Sequence, residues 1–166
     1  MVKVVKIAIA LVSLAVAGFF IYSYFMSDEK KVIKRLVRLS ELVSKEGEEP
    51  AVIMAGRIRG VGDLFAETCR FSSDARNMSR TFRPDEITSH TASARANFLK
   101  LSIKFYDMNV SFPGDKAALV SLTAILSGVT KSEALFDEIH ELEVELVHVE
   151  KKWLIRRITA VEVLEK

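Results

Sequence analysis

The sequence predicts an α+β domain of about three helices packed on a curved antiparallel sheet, preceded by one apolar segment long enough to cross a membrane. Three observations carry this expectation. Residues 7–26, IAIALVSLAVAGFFIYSYFM, hold no charge. The first half of the remainder repeats its apolar residues at helical spacing, whereas from residue 102 onward the period falls to two. Within that second half, Glu141–Leu146 reads E-L-E-V-E-L, a strict alternation that fits a half-buried strand with Leu142, Val144 and Leu146 toward the core.

A chain of 166 residues holds one domain and an appendage. With 49% hydrophobic and 28% charged residues it has the material for a packed core. The net charge of +2 comes from the amino terminus: setting Lys3 and Lys6 aside from the 24 basic residues leaves as many as the 22 acidic ones. A neutral domain gives no electrostatic reason to expect nucleic-acid binding. A single cysteine, Cys69, excludes an intrachain disulfide and a multi-cysteine metal site, and no metal or other cofactor is expected.

The expected domains are an anchor over residues 1–26 and an α+β domain over residues 27–166. A helix over residues 7–26 rises about 30 Å, the thickness of a hydrocarbon core, and Tyr22 and Tyr24 stand where aromatic rings favour the interface. The alternative is a cleaved leader, with Lys3 and Lys6 before the apolar run and Ala15-Val16-Ala17 as the cleavage site. The apolar run continues nine residues past Ala17, which favours an uncleaved anchor. For orientation, Lys30, Lys31, Lys34, Arg35 and Arg38 after the span argue for a cytoplasmic domain, whereas the signal-like beginning argues for an exported one. The expectation adopted is a single-pass protein of the bacterial inner membrane with its domain on the extracytoplasmic side.

Ser27, Asp28 and Glu29 open the first helix with a capping hydroxyl and two carboxylates at the positive end of its dipole. Val32, Ile33, Leu36, Val37, Leu39 and Val43 follow at helical spacing, and Gly47 is the expected stop. Pro50 opens a second helix that Gly56, Gly60 and Gly62 should shorten or break. Residues 68–71 read as a short strand, followed by a polar loop. Arg70, Arg76, Arg80 and Arg83 fall in this region as candidate contacts for an anion or lipid head group, with solvation or pairing to carboxylates as the alternative. Pro84-Asp85-Glu86 starts a third helix, with Ile87, His90, Ala94, Phe98 and Leu101 along one face. Four strands follow: residues 102–112, a Pro113-Gly114-Asp115 turn, residues 116–127, the stretch around 141–150, a turn at Lys151-Lys152, and residues 153–164.

This order, with FYDMNVSFPGDKAALVSLTAIL followed by ELEVELVHVEKKWLIRRITAVEVL, resembles the nuclear-transport-factor-two-like superfamily, which includes SnoaL-type cyclases and ketosteroid isomerases. The resemblance covers residues 28–166 as a pattern and is most specific at Gly114-Asp115-Lys116-Ala117 and Lys152-Trp153-Leu154-Ile155. It implies a cone-shaped fold and no particular chemistry, because many functions share the cone. Several bacterial inner-membrane proteins, including type IV secretion subunits, similarly join one span to such a domain. Enzymes of the superfamily use a pocket Asp or His as base with a Tyr or acid as oxyanion donor.

Measured against that implication, the candidate pocket residues are Asp107, His140, His148, Trp153 and Arg157. His140 and His148 share parity with the core positions of their strand, yet eight residues of strand set them about 26 Å apart, too far to act together. Asp107 alternates with Ile103 and Phe105, and so is expected to face inward, with Tyr106 on the opposite face. Trp153 reads as a core aromatic or a stacking platform. Arg157 shares parity with Trp153 and Ile155, stands opposite in face to Arg156, and has Glu143 and Glu145 as cross-strand partners. No nucleophile elbow, zinc motif, nucleotide loop or carboxylate pair appears, and the domain is expected not to be an enzyme. The leading expectation is a membrane-tethered interaction module that meets a protein partner or a second copy through its sheet. The alternative is a site for a hydrophobic small molecule or lipid inside the cone, or a cyclase- or isomerase-like enzyme there. A cone filled by Phe98, Leu101, Phe105, Leu122, Leu142 and Trp153 would favour the first. An open cavity with Asp107 or His148 at its wall would favour the second.

Overall fold

The computed structural model describes residues 27–73 and 78–161. The chain divides into two compact units, Met1–Lys31 and Val32–Lys166. In the first, Lys31 reaches Asp28 one helical turn back, at 2.8 Å. The segment expected to anchor the chain, residues 7–26, lies outside the described residues, and no described helix is long and apolar enough to cross a membrane.

Helix α1 spans residues 27–43. Val32, Leu36, Leu39 and Leu42 are its buried positions, spaced four, three and three apart so that they share one face. Gly47 is not the stop: the helix ends four residues earlier. The reason is Arg95, whose side chain is fully buried and whose Nη1 donates to the carbonyls of Leu42, Val43 and Ser44 at 3.0, 2.7 and 2.6 Å. A guanidinium placed against the last carbonyls satisfies acceptors that otherwise lack donors and meets the negative end of the dipole. The same group pairs with Glu49, which also holds Arg57 at 3.4 Å.

Helix α2 (Ala51–Gly62) is continuous despite its glycines. Two of these serve packing: a Cβ on Gly60 would stand 3.1 Å from Leu42 Cδ1, and one on Gly62 would stand 3.0 Å from Thr88 Cγ2. Their absence lets α2 press closely on its neighbours, which compensates the helix-propensity cost. Helix α3 (Pro84–Asn97) begins as expected, with Pro84 in its first turn and the Glu86 carboxylate accepting the Arg83 backbone N–H at 2.8 Å.

Among the described residues the sheet has six strands, not the four expected after the helices plus one short one. They are β1 (Phe65–Ser73), β2 (Met78–Phe82), β3 (Phe98–Gly114), β4 (Ala117–Thr130), β5 (Leu135–Val149) and β6 (Lys152–Val161), in the order β2-β1-β6-β5-β4-β3. It is mixed rather than purely antiparallel, because β1 runs parallel to β6. Strand β2, read from sequence as loop, is five polar-rich residues at a sheet edge, a position where short charged strands are favoured. Phe98 and Leu101, expected on α3, begin β3 instead; three residues is a helical spacing, and in the strand a register shift falls between Phe98 and Lys100. The β5–β6 turn is Glu150-Lys151, one residue before the expected Lys151-Lys152. Its φ values of 46° and 67° are those of a tight hairpin turn built without Asn or Gly.

Two bulges control which side chains face inward. One lies in β3 between Tyr106 and Asn109, with Asp107 at φ 51°. The other lies where Glu145 and Leu146 meet Arg157 and Ile155, leaving Arg156 as the extra residue. Each reverses the parity of the strand beyond it.

Candidate functional site

The inner sheet face is roofed by the helices, and between them lies an apolar cavity of about 500 Å³. Every strand contributes to its floor: Phe65 and Phe71 from β1, Phe82 from β2, Ile103 and Phe105 from β3, Ala124 and Leu126 from β4, Leu142 from β5 and Ile158 from β6. The roof is Leu39 and Val43 of α1, Val61 of α2, and Ile87, His90, Thr91 and Ala94 of α3. Five strand-to-strand spacings separate β2 from β3, so the floor runs about 24 Å across the curved sheet. The space is therefore a trough rather than a round pocket.

Among the described lining residues only His90 and Thr91 carry polar side-chain atoms. The Thr91 hydroxyl donates to the Ile87 carbonyl at 2.8 Å, within its own helix. His90 stands edge-on to Phe82 with ring centroids 5.3 Å apart, and Phe82 in turn meets Phe71 edge-on at 5.5 Å. These three rings form one wall, from β1 and β2 to α3. The sequence had placed Ile87, His90 and Ala94 on one helix face, yet nothing marked that face as the roof of a cavity.

None of the five candidate pocket residues lines it. Asp107 is exposed: the β3 bulge turns it out and hands the inward positions to Met108, Val110 and Phe112, which pack on the core. Arg157 is turned out by the β6 bulge, for Trp153 and Ile155 are buried while Arg157 stands 3.6 Å from Glu145 on the outer face. Arg156 also reaches Glu145, so the two arginines share a partner rather than opposing faces. His140 is exposed and pairs with Glu138 at 2.7 Å. It does share the inner face, lying directly opposite Ala124 in the register, with Glu138 opposite Leu126. His148 lies far along the same strand, half-buried against Trp153 at 4.9 Å. Trp153 is 3% exposed and also packs on Phe112 at 5.8 Å. It closes that end of the domain as a core residue; its indole Nε1 has no partner there.

The three described arginines of this group do not converge. Arg70 is on the outer face, opposite Arg157 in the parallel register. Arg76 lies outside the described residues. Arg83 pairs with Asp85 at 3.1 Å beside the start of α3. Arg80 is directly opposite Phe71 and two residues from Phe82, and thus on the cavity side of β2.

A larger cleft of about 1020 Å³ separates the helices from the β5–β6 turn. Arg35, Arg59, Asp63, Asp85, Glu150 and Lys152 line it, three cations against three anions. Burial lowers the Arg35 pKa and the Asp63 carboxylate opposes that shift. With its charges balanced, this cleft offers no net field to a charged ligand, and its apolar side chains, among them Met54, Ile58, Phe65 and Leu154, stand among those charges. Burial pushes the Cys69 thiol up to about 12, so at neutral pH it is protonated and a poor nucleophile. Among the described residues no group of His, Cys, Asp and Glu is placed to hold a metal ion.

No family model matches the sequence, and no curated protein matches it. Solved structures do match in fold. A proposed scytalone dehydratase from Novosphingobium aromaticivorans superposes with a TM-score of 0.64 at 15% identity, over 81% of this chain and 83% of that one. A proposed aromatic ring hydroxylase from the same organism gives 0.67 at 17% identity, over 84% and 92%. An NTF2-like protein with a cystatin-like fold, also from Novosphingobium aromaticivorans, gives 0.63 at 9% identity, over 86% of each chain. At such identities the likeness establishes a shared NTF2-like fold and leaves activity to the site itself.

Proposed function

We propose that this domain binds an apolar small molecule in the trough between its helices and sheet, and that it does so without catalysing a reaction. The observation that carries the reading is the 500 Å³ cavity, whose floor and roof are aliphatic and aromatic apart from one imidazole and one self-satisfied hydroxyl. A space of this size and lining is the usual form of a small-ligand site. Acid–base chemistry would need a second polar group oriented against His90, and among the described residues no carboxylate, tyrosine or further histidine lines the wall beside it. Two of the fold relatives carry enzyme names, which keeps a reaction at the same site as the alternative.

Docking of a protein or second copy on the outer sheet face is the second reading. Leu135 and Ile139, 87% and 67% exposed at one end of that face, favour it. The glutamate row 141, 143 and 145 beside them gives it less apolar area than an interface core requires.

Native mass spectrometry of the full chain, released from a mild detergent, separates these. The expected result is a monomer retaining a small apolar molecule other than the detergent, lost in Ala94→Phe, which fills the trough from α3. A partner-bound or dimeric species whose composition is unchanged by Ala94→Phe would overturn the cavity reading.

A further inference from the structure

We infer that the ligand is an amphiphile, an acyl chain ending in a carboxylate, with Arg80 and His90 holding its head at the β2 end of the trough. This rests on the cavity reading above and adds the chemical class. The trough draws its floor from all six strands, which suits an extended chain better than a compact ring system. Its polar groups are not scattered. His90 is the one imidazole of the wall, and it sits on Phe82, the last ring of the Phe71–Phe82 pair. Arg80 flanks the same two rings, opposite Phe71 across the β1–β2 ladder and one pleat from Phe82.

Among the described residues, Arg80 and His90 have no hydrogen-bond or ion-pair partner. Arg35, Arg59 and Arg70 have none either, but the first two line the balanced cleft and the third is on the outer face, so Arg80 is the unpaired arginine on the cavity side. A guanidinium on the cavity side of the edge strand, beside the lining rings Phe71 and Phe82, matches a carboxylate in charge and in fork geometry. The remaining length of the trough then covers the chain. Arg80 is exposed on an edge strand, so the cost of dehydrating it before binding is small, and so is the affinity that one such contact adds.

The test uses the full chain in mild detergent and two photoactivatable probes of equal length, diazirine-bearing decanoate and diazirine-bearing decanol, with the labelled peptides identified by mass spectrometry. The expected result is labelling of peptides from α3 and β3–β4 by both probes, stronger for decanoate by roughly three- to fivefold. Arg80→Gln should remove that preference while leaving decanol labelling and the melting temperature unchanged. Equal labelling by the two probes, or a decanoate preference that persists in Arg80→Gln, would overturn this assignment and leave the apolar site standing. If neither probe labels those peptides, the cavity reading itself falls, and this assignment with it.

Discussion

The two ends of the inner sheet face are built from the same strands and differ in what they hold. At the β5–β6 turn, Leu146, Trp153 and Ile155 are buried, and the stack of Phe112, Trp153 and His148 closes the space. One to four pleats away, Ala124, Leu126, Leu142 and Ile158 face the same side and leave the trough open. Alternation alone does not separate these cases, since both ends are inward-facing and apolar. The difference lies in what packs on top. A large aromatic fills the first end from the sheet itself, whereas the second is spanned by α1 and α3, and α3 presents the small side chains of Thr91 and Ala94. A hollow persists where rigid helices bridge it, because the lining cannot collapse without breaking helix contacts.

Arg95 is the strongest point at which to break this arrangement. It ties the end of α1 to α3, and both helices roof the trough. Replacing it with Met leaves three carbonyls without their donor and Glu49 without its buried partner. Such losses cost about 3–5 kcal/mol. Chemical denaturation should show that drop, and the small molecule retained in native mass spectrometry should be lost with it. A loss below about 1 kcal/mol would mean that α1 is held by its apolar face alone.

The contrast between the ends is sharpened by paired truncations. Trp153→Ala removes a residue in full contact on every side and should cost about 3–5 kcal/mol. Leu126→Ala, on the floor of the trough, gives up contacts on one side only and should cost about 1–2 kcal/mol. Equal losses would show that the trough is closed in solution.

The smallest effect is expected at the β5–β6 turn, which borders the filled end. Glu150 and Lys151 both occupy positive φ, which Asn and Gly adopt at less cost. The double change Glu150→Asn with Lys151→Gly should raise stability by about 0.5–1 kcal/mol in thermal unfolding. Ligand retention should be unaffected, because the turn lies outside the trough; a change in retention would couple the two ends.

By itself the sequence determined the local periods and the sides they imply. It set three helices before a run of strands, the Pro84 start, the interior position of β4 and the inward side of Leu142, Val144 and Leu146, because each follows from spacing within a few residues. It also put Ile87, His90 and Ala94 on one helix face. Tertiary structure decided where the parity breaks. Asp107 and Arg157 were assigned inward by counting along their strands, and a bulge in each strand turned them out, since a bulge depends on the register with the neighbouring strand. The short polar β2 was legible only as loop, because its pairing with β1 is what makes it a strand. The end of α1 was set not by Gly47 but by an arginine 52 residues beyond Val43 in the chain. The trough, too, belongs to this second class: it exists because three helices meet above six strands, a coincidence of distances that no local pattern records.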